Sequence, residues 1–416
     1  MTLTESAAIN ALLTQWRVEQ TAFLAELVKT PSDNPPGDCA PHAQRAAALL
    51  EAMGFTVERH VVPPEVVAAQ GMQSAVNLVV RHTFGSGGPV IALNAHGDVV
   101  PPGEGWSSDP YGAEVRDGWM IGRGAAVSKS DFATYAFALR ALKQWHAHAK
   151  PALNGTIELH FTYDEETGGA IGPEWLLAQG ISKPDFALSA GFSYGITTAH
   201  NGCLHLEVEC LGKSAHAARP DTGYDALHAA TDILSALYTL RKSYAQVRSK
   251  TPGIDHPTLT IGLIAGGINT NVVPDKVTFR LDRRIIPEES PEQVERDLVE
   301  FIRRAAEAHP TIRVRTGRII LARPFVPLPG QEKLVAALQV NAKRVLGETI
   351  LPQGVPLYTD ARHYSAAGIP TVLYGAGPRS MLEANAHRAD ERVKLDDVFK
   401  ATEVVAGALA DLLAAA

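Results

Sequence analysis

The chain has 416 residues, 45% of them hydrophobic and 20% charged, with a net charge of −7. That is room for two domains with a sizeable core, in the composition of a soluble globular protein. The negative balance, without any Lys/Arg-rich run, argues against nucleic acid as a partner.

Residues 5–30 carry helical apolar spacing interrupted by Glu5, Arg17, Glu19 and Glu26, unlike the basic start and unbroken apolar core of a secretory signal. No other segment is an uncharged apolar run of bilayer length, so the expectation is a cytoplasmic protein without a membrane partner. The turn cluster DNPPGD (33–38) is a candidate border of a substrate entrance, and a helix is predicted over 40–53. Cys39, Cys203 and Cys210 form no CxxC pair and are odd in number, so they read as packed or surface thiols.

GFTVERHVV and SAVNLVVRHT have the patterning of strands. PVIALNAHGDVVP is a buried-type strand ending in polar residues, and FATYAFALRALKQWHAHA is a helix. GTIELHFTYDEETGG is a strand emptying into acids, followed by a helix GPEWLLAQG closed by Gly180. This alternation predicts an α/β fold with a mainly parallel sheet flanked by helices, whose ligands gather beyond the carboxyl ends of the strands. From residue 201 the order becomes strand, helix, strand, strand, helix, strand, with Ser290 as N-cap of the second helix. Residues 201–318 are therefore expected to be an inserted ferredoxin-like α+β domain, with 1–200 and 319–416 forming the α/β domain.

Three segments carry candidate chemistry. His96 and Asp98 in NAHGDVVP have period-two spacing and point the same way from an extended strand end. A neutral imidazole is the commonest zinc ligand and a neighbouring carboxylate can orient it, although a lone His at a strand end is more often a hydrogen-bonded structural residue. The triple acid Asp164-Glu165-Glu166 is by itself usually a solvated loop, but here it terminates an apolar strand where sites form, and adjacent Glu residues can divide cation binding from general-base work. His387 follows the Gly loop YGAGP, and in isolation it reads as a surface histidine. Trp106 and Tyr111 read as loop packing, His200 as a junction hydrogen bond before a ligand, and Arg379 as a solvated charge before a carboxylate reader.

In order, NAHGDVVPPGEGWSSDPY, GRGA, DEETGG, GKSAHAARPDTGYDAL, NTNVVPD, TDARHY and NAHRADERV resemble the zinc-dependent deacylase and exopeptidase superfamily over nearly the whole chain. The resemblance implies a pair of zinc ions bridged by an Asp and a water. On it His96 matches a ligand, Asp98 the acid that orients it, Glu165 the general base, and Glu166 and His387 ligands of the second ion. It further implies that His216 reaches across a homodimer interface to the substrate, that Asn271 and Arg284 hold the substrate's carbonyl and carboxylate, and that Gly375 and Gly377 line the loop near that carboxylate.

Two positions depart from the pattern. Val127 stands where the bridging Asp is expected, although Lys129 remains, and Gly191 stands where another acid is expected. Asp131, four residues after Val127, is one helical turn along the same face and is a candidate substitute ligand, although it reads more readily as an acid favoured in a first helical turn beside Ser128 and Ser130. The resulting expectation is an amidohydrolase with one zinc, manganese or cobalt being possible in its place, acting on a small carboxylate-bearing substrate such as an N-acyl amino acid, dipeptide or activated amide. The alternatives are two metal ions held with substitute ligands, a non-catalytic small-molecule-binding homologue, and a metal-independent hydrolase using Asp98 and Glu165.

Overall fold

The structure, a computed structural model, describes residues 2–414. The chain forms two compact units: Met1–Thr198 with Pro327–Gln353 and Thr359–Ala416, and Ala199–Val326 with Gly354–Tyr358. In chain order the strands begin with β1 (Val57–Val61), β2 (Val76–Phe84), β3 (Val90–His96), β4 (Glu114–Arg116) and β5 (Trp119–Ile121). There follow β6 (Gly155–Thr162), β7 (Phe186–Ser189), β8 (Ile196–His200), β9 (Gly202–Leu211) and β10 (Thr258–Gly266). The last are β11 (Lys276–Ile285), β12 (Arg313–Ala322), β13 (Pro352–Val355), β14 (Thr371–Leu373) and β15 (Arg392–Lys394).

The large sheet has the order β1-β2-β6-β3-β7-β14-β8-β13. Its centre, β6-β3-β7-β14, is parallel. The flanks are antiparallel at β1–β2, β2–β6 and β14–β8, so the expected parallel character holds for the middle of the sheet only. The sequence explains the difference: β3 and β6 are almost wholly buried and read as continuous apolar runs, whereas β1 alternates as an edge strand with one wet face does. The helix Lys129–Ala149 lies on this sheet, with Phe132 stacked on Phe161 of β6 at 3.9 Å. That contact anchors the start of the helix close to the strand ends that carry the polar clusters. The helical pattern over 5–30 is interrupted, giving Leu3–Gln15 and Arg17–Val28 on either side of Trp16, whose ring lies under the Arg140 guanidinium at 4.2 Å. A small ribbon pairs β15, β5 and β4.

The second unit has a four-stranded sheet of order β10-β11-β9-β12 with helices Ala226–Tyr244 and Pro291–Ala306. With chain order βαββαβ, this is the ferredoxin-like arrangement. Leu204, Leu206, Val208 and Cys210 alternate inward along β9 and pack with Ile233, Leu237, Leu298 and Ile302 of the helices. Asp225 caps the first helix by accepting from the N–H groups of Leu227 and His228. Ser290 sits at the N-cap of the second but makes no side-chain cap bond; its hydroxyl is turned to Glu292 at 3.4 Å. All three cysteines are buried and free. Among the described residues no helix is long and apolar enough to cross a membrane.

Candidate metal and catalytic centre

The first unit brings the ends of β3 and β6 side by side, with His96 registered opposite Thr162. His96 is buried, and its backbone N–H and C=O are both tied to the Ser128 hydroxyl at 3.1 Å, which fixes the strand end against the start of the Lys129–Ala149 helix. Its Nδ1 lies 2.9 Å from the Asp98 carbonyl oxygen and 3.4 Å from Asp98 Oδ1. Nε2 therefore faces the acids of the β6 end, with Glu165 Oε2 at 3.9 Å.

Asp98 is fully buried and organises those acids through their backbone. Oδ1 accepts from the Glu165 N–H and Oδ2 from the Glu166 N–H, each at 3.2 Å, while the Asn34 amide donates to Oδ2 at 3.0 Å. The acid run forms a short 3-10 turn, Glu165–Thr167, instead of a solvated loop. Donor atoms of His96, Glu165 and Glu166 consequently lie within 4.8 Å of one another. His387, in a left-handed backbone conformation at φ +60, places Nε2 3.3 Å from Glu166 Oε1. It touches this group through Glu166 and belongs to no cluster of three such donors among the described residues.

Negative charge is in excess here. Burial pushes the Glu165 carboxyl up to about 8; His96 pulls it down, while Glu166, Asp360 and Asp98 push it further up. Burial draws the His96 imidazole toward neutrality, but its bond to Asp98 and the charges of Glu165, Asp98 and Glu166 outweigh this and hold it well above the usual value. Asp360 is raised to about 6, chiefly by burial, and Asp164 is raised well above the carboxylate range by burial and by Asp360. Asp164 Oδ1 and Asp360 Oδ1 are buried with no hydrogen-bond partner. Buried carboxylates crowded around one imidazole, with unmatched oxygens, suit a divalent cation, because an uncompensated buried charge is otherwise expelled or neutralised.

Asp131 stands apart from the metal-capable group. Its Oδ1 accepts from the Ala376 N–H at 2.7 Å, so the carboxylate is used by the Gly loop, and burial pushes it up to about 7. Gly375 and Gly377 belong to that loop. A Cβ at Gly375 would lie 1.8 Å from Asp131 Oδ1, and one at Gly377 would lie 2.8 Å from the Gly191 oxygen, so both positions need glycine. Gly191 is itself sealed in, since a Cβ there would lie 2.9 Å from Leu373 C, Leu373 Cβ and Tyr374 N. The Val127 N–H donates to Glu391 Oε1 at 3.1 Å.

In the second unit His216 and Asn271 come together on neighbouring segments: His216 bridges to Val272 and the Ala217 N–H donates to the Asn271 carbonyl at 2.9 Å. Both side chains are exposed. Arg284 lies 3.1 Å from Asp282 Oδ1, with its guanidinium 5.6 Å from the Tyr358 ring centre. His200 bonds to the Asn201 carbonyl and packs on Phe325, and Arg379 stacks on Tyr194 at 3.6 Å and pairs with Glu348. The Trp106 indole donates to the Pro102 carbonyl, and the Tyr111 hydroxyl to Asp33. Sequence reasoning missed Asn34, Ser128, Asp360 and Glu391 as site builders. The quoted TDARHY and NAHRADERV segments held two of them, but nothing in the local pattern marks an acid as buried.

A mixed sheet carrying a buried His and carboxylate centre at its strand ends, in a chain with a ferredoxin-like insertion, defines a metallohydrolase architecture. Residues 92–411 match the model of Peptidase family M20/M25/M40, and the chain belongs to that family. It is a hydrolase of amide C–N bonds, in a family of metallopeptidases and deacylases. The chain is 29% identical over 371 residues to succinyl-diaminopimelate desuccinylase of Rhizorhabdus wittichii, covering 86% of this chain and 89% of the relative. It is 29% identical over 375 residues to acetylornithine deacetylase of Myxococcus xanthus, covering 88% and 90%. In fold it is similar to a tripeptidase from Staphylococcus aureus, with a TM-score of 0.74 at 20% identity over 95% of this chain and 98% of the other.

Proposed function

We propose that the chain hydrolyses the amide bond of a small carboxylate-bearing substrate with a single divalent cation, zinc in the first instance, with manganese or cobalt as substitutes. His96, Glu166 and His387 would hold it. Glu166 is the shared donor, with one oxygen 3.3 Å from His387 Nε2 and its carboxylate in one group with His96. Val127 and Gly191, in place of two further ligands, leave three protein donors, the usual number at a catalytic zinc. Asp131 is assigned to the Gly loop, where its bond to Ala376 already uses it.

A cation bound there acidifies water and polarises a carbonyl oxygen. Glu165 takes the proton of the attacking water and passes it to the leaving nitrogen. Asp98 keeps Glu165 and Glu166 in register by holding both backbone N–H groups. Arg284 is assigned the substrate carboxylate, Asn271 and His216 its carbonyl, and Gly375 and Gly377 the wall near the carboxylate. The names of the desuccinylase, deacetylase and tripeptidase relatives support N-acyl amino acids and peptides as substrates, with activated amides as the easiest case. The working form is proposed to be a homodimer. The open edge strand β10, with Leu263 61% and Ile264 56% exposed, supports this, because an uncovered apolar edge invites pairing.

The observation that carries this reading is the buried His96–Glu165–Glu166 group pinned by Asp98. It is tested by assaying chelator-stripped protein against N-acyl amino acids, dipeptides and aryl amides, with and without added zinc. Zinc is expected to restore hydrolysis, and Glu165→Gln to lower kcat by about 10²–10⁴. Activity that survives the chelator but is lost in Glu165→Gln would contradict the metal's part and leave Asp98 and Glu165 acting alone.

A further inference from the structure

The second unit carries another set of metal-type donors. His228 and Asp232 lie one turn apart on the helix Ala226–Tyr244, and therefore on one face. His309 follows the helix Pro291–Ala306 in a turn closed by His309 N–H to the Ala306 carbonyl at 2.9 Å and Ile312 N–H to the His309 carbonyl at 3.0 Å. The donor atoms of the three side chains lie within 4.8 Å of one another.

We propose that His228, Asp232 and His309 bind a divalent transition ion of the zinc class. Both imidazoles present Nε2 to the same oxygen, Asp232 Oδ2, at 3.7 Å from His228 and 2.8 Å from His309. Ligand atoms around a tetrahedral zinc are about 3.3 Å apart, given metal–ligand bonds of about 2.0–2.1 Å. The observed separations bracket that value, so small rotations of exposed side chains would admit the ion. The rings meet edge to face with centroids 5.0 Å apart, which keeps the two Nε2 atoms on one side.

Two imidazoles with one carboxylate select zinc, nickel, copper or cobalt over magnesium and calcium, which prefer all-oxygen sites. His309 is the fixed member, with its side chain 14% exposed, while His228 and Asp232 are 68% and 50% exposed and leave the fourth position open to water. The ion would brace the first helix against the turn that follows the second. This assignment is independent of the hydrolytic centre, since none of its residues is used there.

The test is equilibrium dialysis of chelator-stripped, full-length protein against zinc, with bound metal counted. Wild type is expected to bind one more zinc than His228→Ala/His309→Ala. The single substitution His228→Ala should weaken that ion by at least about tenfold. Alanine at His228 preserves an exposed helix face and His309 lies in a turn beyond the Pro291–Ala306 helix, so circular dichroism and hydrolysis rates should match wild type. Equal zinc counts and affinities in wild type and the double variant would overturn the proposal.

Discussion

Arg123 and Glu391 form an ion pair with both side chains 1% exposed, and the same Glu391 carboxylate accepts the N–H groups of Ala126 and Val127 at 3.1 Å. One acid thus fastens the GRGA loop to the segment that carries His387. Arg123→Met would leave this carboxylate buried and unpaired, at a cost of about 3–5 kcal/mol. The expected result is a clear fall in the urea unfolding midpoint, partly recovered in Arg123→Met/Glu391→Gln.

Asp98→Asn keeps the shape but replaces one oxygen that now accepts a backbone N–H with an amide that donates. The Glu165–Glu166 turn should loosen, and zinc affinity or kcat should fall about 10–100-fold, as for other groups that orient ligands. Zinc titration and steady-state kinetics on the same preparation separate the two effects.

Gly191 and Val127 make different predictions although both stand where a ligand is expected. A Cβ at Gly191 meets the Leu373 and Tyr374 backbone at 2.9 Å, so Gly191→Asp should destabilise by about 1–3 kcal/mol and bind no second ion. Val127 is partly exposed, and Val127→Asp should fold normally and lower the zinc concentration needed for half-maximal activity. Thermal melts and zinc activation curves of the two variants give the comparison.

These contrasts show what was legible in the sequence. The ends of β3 and β6 could be placed because each apolar run breaks abruptly into polar residues, and the ferredoxin-like insertion because its strands and helices change period in a fixed order. His96, Glu165 and Glu166 were joined into one site only by the resemblance, since each segment alone reads more often as structural or solvated. For Asp131, spacing along a helix gives the face but not the N–H of Ala376, 245 residues away in sequence, from which its Oδ1 accepts. Asn34, Asp360 and Glu391 escaped notice because their burial is created by segments far away in the chain. The break at Trp16 was hidden by apolar spacing that continues through it.

A pH effect is expected in the second unit. His205 on β9 faces Asp282 on β11, with Nε2 to Oδ2 at 3.0 Å, and this bond raises the imidazole to about 9. The stabilisation is fully present below the ordinary histidine value of about 6.5 and is lost as pH rises through about 9. The side chain is 34% exposed, so the effect is modest. Melting temperatures at pH 6 and pH 9.5 should differ less in His205→Gln than in wild type.

The most direct measurement is anomalous scattering at the zinc edge from crystals soaked in zinc. In the first unit, one peak bonded to Glu166, His387 and His96, with Glu165 facing it unbonded, is the predicted result. Two peaks there, or none with Glu166 and His387 turned apart, would contradict the single-cation account.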